Sequence, residues 1–108
     1  MKNYSKIIFI LLFSSILLNS TTFKEAVEFY KNKQYYKSFT AFEELANQAN
    51  VDAQYNLAMM YYKGLGVTQN KILAFIWFQT AANRGNKLAQ NNLDICMKKV
   101  KLLVLKMN

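Results

Sequence analysis

The chain repeats itself. When residues 34–57 are laid over residues 70–93, at a constant offset of 36 and without a gap, nine of 24 positions carry the same residue. They are Phe39/Phe75, Phe42/Phe78, Ala46/Ala82, Asn47/Asn83, Asn50/Asn86, Ala53/Ala89, Gln54/Gln90, Asn56/Asn92 and Leu57/Leu93. A period of this size marks stacked supersecondary units, none of which can bury its apolar face alone. Upstream, Ala26, Tyr30 and Lys31 match Ala58, Tyr62 and Lys63 at an offset of 32. The two registers differ by four residues, and those four fall in one loop. Unit one crosses it through "KNKQYYKS", unit two through the longer "KGLGVTQNKILA".

Each unit reads as a pair of antiparallel helices, A then B. Helix A of unit one is predicted over Phe23–Lys33, opened by Thr22 with Glu25 three residues on, the spacing of a capping box. Helix B, over Tyr35–Gln48, sets Phe39, Phe42 and Ala46 on one face. Asn50 caps the next helix A, Val51–Lys63, where Ala53, Leu57 and Tyr61 are spaced by four. Helix B of unit two is predicted over Asn70–Arg84, with Ala74, Phe75, Phe78 and Ala82 turned inward. Gly85 then stops that helix and Asn86 caps a fifth, Lys87–Lys99. The chain has no proline to interrupt any of these helices.

Two of the three glycines, Gly64 and Gly66, lie in the longer loop beside Lys63. A phosphate cradle of the G-x-G-x-x-G type follows a strand and needs a third glycine where Gln69 stands. This loop follows a helix instead, so the glycines are expected to supply positive φ in a widened turn where a Cβ would clash.

The stretches "AQYNLAMMYYKGLGVTQN" and "AFIWFQTAANRGNKLAQNNL" together resemble the Sel-one-like repeat family, a branch of the tetratricopeptide-type helical repeats. The carrying residues are Ala53, Leu57 and Ala58 in helix A, and Tyr61, Tyr62, Gly64, Gly66 and Val67 around the loop. In helix B they are Trp77, Phe78, Ala81, Ala82 and Gly85. The resemblance implies an all-α, short right-handed α-solenoid occupying residues 21–108. Within it, 21–50 is a degenerate first unit, 51–86 a full repeat, and 87–108 a partial repeat or capping helix. It also implies a non-catalytic protein–protein interaction module whose A helices line a groove. The candidate groove residues are Tyr30, Tyr55, Met59, Tyr62, Lys63 and Lys98. Asp52 extends the central stripe, Phe23, Val27 and Lys31 the first, and Asn91 and Ile95 the third.

The N-terminus reads as an address. Lys2 and Lys6 precede an apolar run, residues 7–18, and the polar cluster Asn19–Thr22, the order of a secretory signal peptide. Residues 1–20 are therefore expected to direct export, to the periplasm of an envelope-bearing bacterium, or to remain as an N-terminal membrane anchor. Beyond them, twelve basic and six acidic side chains give a net charge near +6. That balance suits acidic protein partners or an anionic membrane, and export argues against nucleic acid.

The sequence supplies no catalytic, cofactor-binding or metal-binding set. Histidine is absent, and Cys96 is a single cysteine, read as a small buried hydrophobe. Glu43 and Glu44 are adjacent, so they point about 100° apart on a helix. Cysteine-rich relatives of the family are described as β-lactamases or penicillin-binding proteins, but their paired cysteines, an S-x-x-K and a K-T-G are all missing here. The C-terminal "KKVKLLVLKMN" has two readings: a helix capping the open end, or a basic amphipathic tail on a membrane surface. So few units are marginal for stability, which leaves homodimerisation through the open end as a further expectation.

Overall fold

A computed structural model describes residues 4–8 and 21–107 of the chain. The expected signal segment, residues 1–20, lies outside the described residues except for 4–8, which are helical. Five further helices follow in order: α1 (Phe23–Lys31), α2 (Tyr35–Asn47), α3 (Val51–Lys63), α4 (Lys71–Asn83) and α5 (Lys87–Met107). The described residues include no strand. Each helix packs chiefly on its neighbours in sequence, the arrangement of an α-solenoid.

The helices are bounded by local chemistry. Thr22 Oγ1 accepts from the Glu25 amide at 3.2 Å, and Glu25 Oε2 accepts from the Thr22 amide at 3.1 Å, completing the capping box. Asn50, Asn70 and Asn86 each accept, through Oδ1, an amide three residues on, at 2.9, 3.0 and 2.8 Å. Asn70 is thus a cap, and α4 begins one residue later than expected. Gln34, its counterpart in unit one, makes no such bond.

Three turns share one design. After α1, α2 and α4 the chain passes through Lys33, Ala49 and Gly85, with φ of 60°, 67° and 96°. In each, the next residue's amide reaches back to the helix: Gln34 to Phe29, Asn50 to Leu45 and Asn86 to Ala81, at 2.8 to 3.0 Å. This is the Schellman closure. It ends α1 at Lys31 rather than Lys33.

The core falls into two clusters. Ala26, Phe39, Phe42, Leu45, Leu57 and Met60 join α1, α2 and α3. Ala58, Ala74, Phe78, Ala81 and Ala89 join α3, α4 and α5. Tyr61 and Trp77 pack against both and tie the units together. Phe42, Leu57 and Met60 are almost fully buried, each stabilising the fold by about 1.5–3 kcal/mol. One expected core position is corrected: Phe75 is 39% exposed. Its counterpart Phe39 packs edge-on to Tyr61 at 5.3 Å, a partner supplied by the helix that follows it. In the helix following α4 the position equivalent to Tyr61 is Met97, which is exposed.

The repeat also fixes a link that runs between units. Gln54 Nε2 donates to the Ala46 carbonyl at 3.2 Å, and Gln90 Nε2 to the Ala82 carbonyl at 3.0 Å. Both residues of each pair recur at the offset of 36, so the same bond closes each B-to-A junction.

α5 departs from expectation. It runs unbroken to Met107, eight residues beyond Lys99, with no glycine or proline to stop it. From Met97 onward its side chains are exposed. No helix among the described residues is long and apolar enough to cross a membrane.

Candidate functional site

The glycine loop is a closed turn. The Gly64 and Leu65 amides both donate to the Met60 carbonyl, at 2.8 and 3.0 Å. The Asn70 amide donates to the Tyr61 carbonyl at 2.9 Å, and Gln69 Nε2 to the Tyr62 carbonyl at 2.8 Å. Gly64 and Gly66 have φ of 70° and 72°. A Cβ on Gly66 would overlap the Tyr35 carbonyl at the start of α2. The glycine therefore lets the loop of unit two press against the backbone of unit one.

The exposed features of chemical interest lie along α1, α3 and α5. Two shallow depressions sit side by side there. One, about 130 Å³, is lined by Met59, Tyr62 and Lys63 of α3, Phe78 of α4, and Asn92, Ile95, Cys96 and Lys99 of α5. The other, about 160 Å³, lies between Tyr30 of α1 and Tyr55, Asn56, Met59, Met60 and Lys63 of α3, with Leu65 also in its wall. Met59 and Lys63 belong to both. Lys63 and Lys99 are the charged groups in these walls, and neither depression has an acidic side chain.

The aromatic groups in these walls are held by neighbours. Tyr30 stands edge-on to Tyr35 at 5.4 Å, and Tyr55 leans on Phe78 at 5.8 Å. Lys71 Nζ lies 5.8 Å from the Tyr62 ring centroid, within cation–π range. Asn92 Nδ2 approaches Met59 Sδ at 3.7 Å. Tyr30 and Tyr62 are more exposed than Met59, which is half-buried. Rings fixed in this way lose little freedom when a partner covers them.

Of the residues singled out from the sequence, Tyr30, Tyr55, Met59, Tyr62 and Lys63 line the paired depressions, and Ile95 joins them. Lys98 does not: it is exposed on another side of α5, and Lys99 takes the wall position. Asn92 stands where Asn91 was expected. Phe23, Val27 and Lys31 flank a separate open depression on α1, together with Lys24 and Glu28. Asp52 lies away from these walls, bonded through Oδ1 to Asn86 Nδ2 at 3.5 Å. Cys96 is half-exposed rather than buried, and forms part of a wall. At the offset of 36 the α5 wall residues Asn92, Ile95, Cys96 and Lys99 match Asn56, Met59, Met60 and Lys63, the side of α3 that meets α1, so positions 91 and 98 fall beside the wall. The Gln54 and Gln90 links were visible as a coincidence at the offset of 36, yet nothing in sequence says that glutamines at those positions bridge helices.

Tyr61, just behind the groove, has its phenol pKa raised, chiefly by burial and then by the nearby Glu43 carboxylate. It is a packing residue held neutral. Among the described residues no group of three or more His, Cys, Asp or Glu side chains is placed to hold a metal ion.

Consecutive helix hairpins with a shared ribbed face define a repeat scaffold of the tetratricopeptide-like kind. Residues 51–86 match the family model of the Sel1 repeat, and so cover α3, the glycine loop, α4 and the Gly85 turn. The match spans 36 of the 108 residues. The chain thus carries a Sel1 repeat, a unit that serves as a scaffold for protein–protein interaction. No curated protein and no solved structure matches the chain significantly.

Proposed function

We propose that this chain is an exported, non-catalytic interaction module that seats an extended segment of a protein partner across α1, α3 and α5. The observation that carries the reading is the pair of adjoining depressions sharing Met59 and Lys63, walled by braced tyrosines. Tyrosine supplies large contact area with a polar tip at low conformational cost. Two lysines and no acid in the walls favour a segment with apolar side chains next to aspartate or glutamate. Export rests on the order of basic, apolar and polar residues in 1–20, and the periplasm is the proposed location.

The test is affinity capture from the envelope fraction of the source cells, using the exported form as bait. Tyr55→Ala and Tyr62→Ala should each weaken capture of the same partner about tenfold or more, as interface tyrosines often do. Undiminished capture by both variants, with helicity intact, would remove the groove from the account.

A further inference from the structure

We propose that the C-terminal half of α5 lies on an anionic membrane surface. The face that α4 covers at Ala89 and Leu93 continues past the solenoid as Cys96, Val100, Leu103 and Met107, spaced by three and four. Met97 and Val104 widen it to an arc of about 120° at roughly 100° per residue. From Met97 on, that arc is open to solvent, and Leu103 and Val104 are 60% and 52% exposed. Lysines border it on both sides, Lys99 and Lys106 along one edge and Lys101 along the other. Lys98, Leu102 and Leu105 occupy the back. Asp94 is the last acidic residue of the chain.

Charge decides what covers this arc. A second copy paired antiparallel would set the Lys99 and Lys106 edge against the same edge of its twin, with no carboxylate to offset it. Paired in parallel, those lysines would face the edge that holds Lys101, again setting like charge against like. Anionic lipid headgroups complement both edges at once. Lysine stems can lie along the apolar face while the ammonium groups reach the phosphates. The helix sits on the bilayer rather than through it, in keeping with its length and charge. Cys96 and Lys99 belong to the groove wall as well as to this surface, but vesicles offer no protein partner, so the lipid contact is tested apart from the partner-binding reading.

The experiment uses the full chain carrying Cys96→Ser and Met107→Cys, with a polarity-sensitive fluorophore on the new thiol. Probes are vesicles of phosphatidylcholine alone and of equal parts phosphatidylglycerol and phosphatidylcholine. The apolar run of residues 7–18 can bring any variant to lipid, whereas a dye at position 107 senses α5 itself. A blue shift on the anionic vesicles only is expected. Adding Lys99→Gln, Lys101→Gln and Lys106→Gln should weaken it about fivefold per lysine, roughly a hundredfold together. Leu103→Asp, which keeps the lysines, should weaken it as well. All four positions are exposed, so thermal melting checks that folding is unchanged. No shift, or an equal shift on both vesicle types, overturns the proposal. A shift that appears without lipid and grows with protein concentration, alongside a dimer in sedimentation, also overturns it and assigns the arc to a second copy.

Discussion

Replacing Gly66 by alanine should be the most damaging single-methyl change in the chain. Two costs combine. At φ 72° an L-residue sits in the left-handed region, which costs about 1–2 kcal/mol. The added Cβ would also meet backbone that cannot swing aside: it would overlap the Tyr35 carbonyl and lie 2.9 Å from the Tyr36 amide nitrogen. Shifting the first turn of α2 away from the loop is an overpacking strain of about 1–3 kcal/mol. The sum is about 2–5 kcal/mol, a large part of the stability of a small domain. Gly85→Ala provides the control. It carries the positive-φ cost at φ 96°, but nothing lies within 4 Å of its added Cβ. Urea and thermal unfolding followed by circular dichroism should place Gly85→Ala about 4–16 °C below the parent and Gly66→Ala about 8–40 °C below it. If Gly66→Ala melts no lower than Gly85→Ala, the loop does not press on α2 in solution, and the turn reading of these glycines fails.

Ala49 holds in unit one the place of Gly85 and has φ 67°, so Ala49→Gly should raise stability by about 0.5–1 kcal/mol, read as a higher urea midpoint. Gln54 is buried, and its Oε1 has no hydrogen-bond partner, while the Ala46 carbonyl it serves also accepts the Ala49 amide at 3.0 Å. Gln54→Met should therefore cost less than about 1 kcal/mol, whereas Gln54→Ala, which leaves a cavity, should cost about 2 kcal/mol or more. A larger loss in Gln54→Met would mean the amide link outweighs the unmet oxygen. The raised pKa of Tyr61 makes its neutral phenol the form the fold prefers. Its contribution is fully present below its ordinary value of 10.0 and is lost as pH climbs through the raised folded value. Tyr61→Phe should consequently lose less stability than the parent as pH rises above 10.0, measured as the difference in urea midpoints.

The helical pairs were legible because three kinds of signal agreed. The offset of 36 gave the unit, the asparagine caps at 50 and 86 gave the starts, and Gly85 gave a stop. Two turns escaped because they do without glycine: Lys33 and Ala49 take positive φ under the pull of the Schellman bonds on either side. The exposure of Phe75 could not be read from its match to Phe39. A repeat copies a residue but not its neighbours, and at the same offset the Tyr61 that covers Phe39 is replaced by Met97, which is itself exposed. The central stripe of the groove was legible since α3 is bounded by Asn50 and Gly64, which fix its register. α5 has an asparagine cap at its start but no stop signal, so its far end could not be taken from pattern alone, although Lys99 repeats the wall residue Lys63 at the offset of 36.

The twin glutamine bridges have a consequence for how such a chain can grow. Because Ala46–Gln54 and Ala82–Gln90 are the same fastening, a tandem copy of residues 51–86 placed after Asn86 would meet the joint it already knows on both sides. Length in this architecture is then a matter of how many times one segment is duplicated, and a lengthened ribbon needs no redesign at its seams.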